Sequence, residues 1–376
     1  MPNNKNFQTN ASQKPYDFVP LPDPELVINA AIAGHHTAIG SKNTPLLSGE
    51  IRGTIVSGAL THIASGIVSL INELRAFSGP GQNLDLNSIG KDELVMPHVR
   101  TSNVRIIPGS TIKGMLRAAV EAITNPGTAI SPPSLPSKRR QTQNNVLKQT
   151  LQKSPVLSEI SLANRLFGLT DEGRGYQGQC TFYDAPQVKG SAQIFHRLPL
   201  YSPQPYFSQT NHAQTNYQLY FTDAARREFR GRKFYRSGVA RTADPPYTAV
   251  EACNKDSEFN FEMRFSNLNH IEIGILLIIF GLTSTNSSKK IPQLNVGGGK
   301  PLAMGTIRFT GIDAKIIADS TYTDFDTRYD ELGLISCVDA AYASGVIFEA
   351  GLDKLIDIMS KKMKHTAGGS EKERIY

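Results

Sequence analysis

The stretch EFNFEMRF, Glu258 to Phe265, alternates without a break: Phe259, Phe261, Met263 and Phe265 fall on one side, Asn260, Glu262 and Arg264 on the other. Strand side chains point to opposite faces in turn, so this is a strand with one buried and one wetted face. IEIGILLIIFGL, Ile271 to Leu282, follows at once and is apolar all round, the pattern of a buried helix. A one-faced strand leading straight into a buried helix calls for a layered α+β domain.

The first half of the chain repeats that order. SGEIRGTIVSGALTHI, from Ser48, alternates as a strand, with Ile51, Gly53 and Ile55 on one side and Arg52, Thr54 and Val56 on the other. A loop of roughly forty residues follows. In RIIPGSTIKGMLRAAVEAI, Arg105 to Ile123, Ser110 is placed to cap a helix whose apolar stripe is Ile112, Met115, Leu116, Ala119, Val120 and Ile123. Asn125-Pro126-Gly127 closes it, Cys180–Tyr183 reads as a strand, and TIRF at 306–309 is the last strand. The resulting order, strand–helix–strand twice over, is the split βαβ of a ferredoxin-like, RNA-recognition-motif-like fold: one antiparallel sheet and two helices, with large insertions.

The chain divides accordingly. Residues 1–47 form an N-terminal extension in which the proline-studded YDFVPLPDPELV lies extended over a surface. Residues 48–125 and 258–315 are the two halves of the core. Residues 126–156, rich in Pro, Ser and Gln, read as a disordered insertion. Residues 157–257 form a thumb-like inserted lobe. Residues 316–376 are a helical extension whose stripe is Leu352, Leu355, Ile356, Met359 and Met363.

Lys and Arg number 40 against 33 Asp and Glu, a net charge of +7 over 376 residues, which favours a polyanionic partner. The three cysteines, Cys180, Cys253 and Cys337, are scattered without metal spacing, and His35-His36 have no ligand neighbours at that spacing. The start MPNNKNFQTNASQKP lacks an apolar leader, and Ile271–Leu282 is well short of the ~20 residues that span a membrane. The expectation is a soluble cytoplasmic protein with no membrane partner.

Two phosphate-binding readings fail on geometry. In PGSTIKGMLR, Lys113 precedes Gly114 and Met115 stands where a P-loop needs a hydroxyl. GRGYQG, 173–178, spells a dinucleotide fingerprint, but LTDE before it reads as no strand, and QCTFYD after it reads as a strand rather than a helix. Three features suit a sugar-phosphate backbone instead. The start of the Ile112–Ile123 helix offers the amides of Ser110 and Thr111 with Lys113 and Arg117 one turn apart. RREFRGRKFYR sets Arg226, Arg227, Arg230, Arg232, Lys233 and Arg236 among Phe229, Phe234 and Tyr235, forks for phosphates and rings for unpaired bases. GGGKPLAMG puts Gly298 and Gly299 beside Lys300, where bare backbone can approach a ligand. Each has a plainer alternative: a packed capped helix, an arginine-rich solvated face, a flexible hairpin.

Together these stretches resemble a family. IPGSTIKGMLRAAVE at 107–121, RLFG at 165–168 with GQCTFYDA at 178–185, and GGGKPLAMGTIRF at 297–309 look like the three signature blocks of the RAMP superfamily of CRISPR-associated proteins, in its backbone-subunit branch. FVPLP at 18–22 is similar to the leader of some type III backbone subunits, and the insertions point to a type III-D-like member. The resemblance implies a subunit that coats a CRISPR guide RNA beside other effector subunits. A thumb-like hairpin would kink the guide–target RNA duplex while base pairing reads sequence.

The same resemblance raises cleavage of target RNA by an aspartate in the loop after the first strand. That loop, 66–106, offers Asp85 in NLDLN and Asp92 in KDE; Asp85 is preferred, as the carboxylate that would hold Mg2+. His98 and Arg100 lie nearer the first block, where they could touch RNA. Asp184 reads as a structural acceptor. A non-catalytic guide-RNA-binding subunit, a guide-processing endoribonuclease of the same fold and an RNA-independent scaffold remain the alternatives.

Overall fold

The computed structural model describes residues 14–21, 46–76, 84–85, 93–124, 161–171, 174–198, 200, 230–239, 242–243, 248–316, 327–329 and 331–363. The principal elements in chain order are β1 (Tyr16–Val19), β2 (Leu47–Ser57), β3 (Leu94–Met96), β4 (Val104–Ile107) and α1 (Gly109–Ile123). Next come α2 (Leu162–Phe167), β5 (Cys180–Phe182), β6 (Ala185–Lys189), β7 (Ala192–Arg197), β8 (Arg232–Tyr235) and β9 (Ala249–Cys253). The chain then forms β10 (Glu258–Leu268), α3 (His270–Ile279), β11 (Thr306–Ile316), α4 (Glu331–Ala343) and α5 (Glu349–Ser360).

The main sheet is antiparallel. β11 pairs with β2, β2 with β10, and β10 with β5 and β6 end to end. Numbered by their place in the split βαβ, these strands stand 4-1-3-2, the ferredoxin-like order expected. The strict alternation in β10 explains why. Its phenylalanines and Met263 are buried, with Ile51 and Ile55 of β2, under the stripe of α1 and all of α3 in one apolar core. Arg52, Asn260, Arg264 and Arg308 line the open face. An Asn269–Glu272 capping box starts α3, and the buried Glu272 binds the equally buried Arg165 of the RLFG block at 2.5 Å. Burial pushes the Glu272 carboxyl up, against the pull of Arg165.

A second sheet draws on two segments far apart in sequence. β7 pairs with β9, and β9 runs parallel to β3, which comes from the long loop after the first strand. The segment 157–257 therefore divides: β5 and β6 join the main sheet, β7 and β9 the second. β8 pairs with neither, but antiparallel with β1, which turns the extended N-terminal segment into a strand with Tyr16 and Val19 buried.

Two local readings differ. α1 begins after Pro108 with no side-chain cap, so Ser110 is an exposed first-turn residue and not the cap. Leu169–Asp171 is a short strand after all, in a hairpin with Arg174–Tyr176. The dinucleotide fingerprint still fails, because strand β5 rather than a helix follows. Among the described residues no helix is long and apolar enough to cross a membrane. The insertion 126–156 and the closing tripeptide 125–127 lie outside the described residues.

Candidate nucleic-acid interface

The entry to α1 uses most of its amides internally. Gly109 N–H donates to Asp184 Oδ1 at 2.8 Å, and Thr111 N–H to Pro108 O at 2.9 Å. The Thr111 amide is thus not available to a phosphate as the sequence suggested, and Asp184 acts as the structural acceptor expected of it. Gly109 answers to packing, since a Cβ there would stand 2.3 Å from Phe182 O. Gly114 does not. It is exposed in the helix interior, a Cβ on it would meet nothing within 4 Å, and Lys113 stands beside it. A helix-interior glycine costs about 1 kcal/mol relative to alanine, so the fold gives no reason for it.

Lys113, Arg117 and Glu121 follow one another at helical spacing. Arg117 is tied down: Nε binds Glu121 at 2.8 Å, and the terminal nitrogens donate to Gly168 O at 2.7 Å and Asn164 Oδ1 at 2.6 Å. It braces α1 on α2. Arg232 of β8 takes the other oxygen of Glu121 at 2.7 Å, which lays the basic strand along the same side of α1.

Within that strand, Arg236 pairs with Asp17 at 3.4 Å, and Lys233 lies 3.8 Å from the Tyr16 ring centre. Burial lowers Lys233 to about 8, with Lys14 adding to the effect. Arg232, Lys233 and Arg236 therefore hold β8 in place before they can serve any ligand. Arg230 is exposed; Arg226 and Arg227 lie outside the described residues.

The glycine loop is also built differently from the simple expectation. Gly297 and Gly299 both sit at φ +72, and added Cβ atoms would stand 2.3 Å from His62 O and 2.4 Å from Met304 Sδ. These glycines fold the loop onto itself and onto His62. Only Gly298 has room above it, its nearest neighbour being His62 Cδ2 at 3.7 Å. Leu302 and Met304 anchor the loop in an apolar cluster with Phe195, Val250 and Ala252. Lys300 is held below its usual pKa by burial alone, and no carboxylate pairs with it among the described residues.

Beneath the loop lies a buried charged network. Glu251 binds Arg100 at 2.5 Å and Arg105 at 2.7 Å and accepts the His98 N–H at 2.9 Å. Burial pushes Glu251 up, but the two guanidiniums outweigh it and its carboxyl is lowered. His98 is buried: Nε2 donates to Ile106 O at 2.9 Å and Nδ1 accepts the Ile63 N–H at 3.3 Å. Burial lowers the ring to about 4, so it is neutral at pH 7. His98 and Arg100, both candidates for RNA contact, are thus components of the core. His62, which no sequence signal singled out, joins this network to the loop. Its Nδ1 stands 2.6 Å from Glu251 O, and its carbonyl accepts the Gly298 N–H at 2.9 Å.

β8 connects the helix to the loop. Arg232 touches Glu121 at one end; past the other end, a Cβ on Gly238 would lie 3.1 Å from the Ala303 Cβ. A cleft of about 460 Å³ opens at that junction, lined by Gln193, Ser237, Lys255, Gln293, Thr306 and Lys362 together with small and apolar residues, none of them acidic. Sequence reading missed these positions, because each stands alone in its own segment. The basic strand thus touches α1 through Arg232 and Glu121, and the segment after it touches the glycine loop through Gly238 and Ala303.

The Asp85 backbone lies in the pair Leu84–Asp85, which runs parallel to β7 with Asp85 opposite Gln193. Asp92 lies outside the described residues. Among the described residues no group of three His, Cys, Asp or Glu side chains could hold a metal ion.

A family model described as the RAMP superfamily matches residues 48–308. No curated protein matches the chain. Among solved structures, the chain is similar to one described as a cryo-EM structure of the type III-B Cmr-beta bound to cognate target RNA, at 13% identity and a TM-score of 0.32. The similarity covers 71% of this chain and 61% of that one, so the chain spans less than two thirds of that relative's length.

Proposed function

The chain belongs to the RAMP superfamily, and from that premise we propose that it is a guide-RNA-binding backbone subunit of a type III CRISPR effector, with the RNA running over the outer face of α1 toward the glycine loop. Gly114 is the observation that carries this reading. An exposed glycine inside a helix, with no neighbour to accommodate, is explained by a ligand backbone that must come close. Lys113 beside it and Lys300, which has no carboxylate partner among the described residues, supply phosphate contacts, and the exposed Ser110 supplies a hydroxyl. Arg117, Arg232 and Glu121 hold the surface rigid. Lys300 gains most from an anion, because burial strips it of water without giving it a carboxylate.

The test is RNA affinity of the full chain across a salt series. Wild-type protein is expected to lose affinity steeply with salt, and Lys113→Ala and Lys300→Ala each to flatten the slope by about 0.7. Salt-independent affinity, or no affinity, refutes RNA binding and leaves a scaffold. Copurified RNA from the native host carrying repeat-derived sequence would supply the guide identity.

Target cleavage is the second reading, favoured by one observation: the register places the Asp85 backbone opposite Gln193, which lines the cleft. In the assembled effector, Asp85→Ala and Asp92→Ala are to be compared for cleavage at each position. Loss of a cut with one variant assigns that carboxylate; unchanged cutting with both identifies a binding-only subunit. A guide-processing enzyme needs an acid–base side chain that reaches RNA, and His98 does not offer one, since that ring is buried and hydrogen-bonded at both nitrogens.

A further inference from the structure

We propose that the cleft between the glycine loop and the segment after β8 is a pocket for a single nucleoside monophosphate unit. Its ligand chemistry stands on the cleft's own residues; the source of that ligand, a nucleotide of the bound strand, rests on the RNA-binding reading above.

The volume of about 460 Å³ suits one small ligand rather than a duplex. Lys255 and Lys362, both exposed, stand on its lining, and among the described residues that line it none is acidic, which favours an anion. The floor is neutral and polar. Thr306 is buried to 2% exposure, and its hydroxyl has no hydrogen-bond partner among the described residues. Its register partner Asn295, behind the lining at 8% exposure, has neither amide atom bonded among the described residues. Buried polar groups are normally satisfied, so this unpaired hydroxyl just beneath the cleft wall is hydrogen-bonding capacity that a seated ligand, or a water carried in with it, can take up. Gln293 spends its amide nitrogen on Met359 O at 2.5 Å, which presents its carbonyl as an acceptor. Ala59, Leu60 and Val239 add apolar surface for a ring face. Cations at the rim, donor and acceptor groups on the floor and an apolar wall match phosphate, base edge and base face.

The experiment uses the full chain freed of nucleic acid. Calorimetry is run with AMP, GMP, CMP and UMP, with the matching nucleosides, and with inorganic phosphate alone. A monophosphate is expected to bind saturably and more tightly than its nucleoside or phosphate. Lys255→Glu, Lys362→Glu and the near-isosteric Thr306→Val are each expected to weaken it about tenfold, the loss of one hydrogen bond to a charged or buried group. Both lysines are exposed, so those variants fold. In a second arm, a short RNA carrying 4-thiouridine is cross-linked and the labelled peptides are mapped. Labels on the cleft segments identify the strand as the source, and monophosphate binding without them identifies a free nucleotide. No binding in either arm overturns the proposal, as does phosphate binding as tightly as the nucleotides. RNA affinity that persists while the cleft stays empty sinks the pocket and spares the RNA reading. Monophosphate binding without RNA affinity does the reverse.

Discussion

Replacing Gly114 separates the demands of the fold from those of the ligand. In α1 an added Cβ meets no atom within 4 Å, so Gly114→Ala adds a methyl group to solvent and restricts the unfolded chain. The expected result is a gain of about 1 kcal/mol in unfolding free energy, read from urea titration of the full chain. If RNA lies on that face, affinity moves the other way. Gly114→Leu, with a side chain several ångströms long, lifts the strand off Lys113 and removes at least one charge-assisted contact. Such a contact is worth about 1.5–3 kcal/mol, roughly a tenfold to hundredfold loss. The salt slope should fall by about 0.7 as one phosphate contact disappears. Filter binding at three or more salt concentrations measures both quantities. A Gly114→Leu protein that is folded, no less stable than wild type and unchanged in RNA affinity and slope refutes the assignment of this face.

Other predictions address the scaffold. Glu251→Ala leaves Arg100 and Arg105 facing each other in the core and is expected to cost about 3–5 kcal/mol, whereas Glu251→Met with Arg105→Met should recover much of it; urea unfolding of both variants decides. Gly109→Ala drives a methyl into Phe182 O and should destabilise by about 1–3 kcal/mol, opposite in sign to Gly114→Ala five residues on. His98 titrates near 4 in the native chain and near 6.5 unfolded, so its contribution is complete above pH 6.5 and is lost as pH falls toward 4, about 2 kcal/mol by pH 5. Burial lowers His62 in the same direction; a urea midpoint equal at pH 7 and pH 5 would contradict both.

Periodicity determined most of the core. The alternation in β10, the stripe of α1 and the uniform apolarity of α3 are local patterns, and each demands one secondary structure and one buried side. The 4-1-3-2 order follows, because a split βαβ has few ways to bury those faces together. The first two glycine-bearing blocks marked segments that meet, since GQCTFYDA contains the Asp184 that holds the start of α1. Tertiary structure decided which polar groups are available. Arg232 meets Glu121 and Arg236 meets Asp17 across more than a hundred residues, so no run of basic letters could reveal that half the basic stretch is occupied in packing. The same holds for His98 and Arg100, tied to a Glu251 on β9, and for Gly297 and Gly299, whose bare backbone makes room for His62 and Met304. Gly114 reads the same in sequence as its neighbours and became informative only once its surroundings proved empty. The cleft has no linear signature, because its lining comes from strands and turns joined only by the packing of two sheets. A sequence fixes what each segment prefers locally, whereas availability to a ligand is what remains after every long-range partner has been assigned.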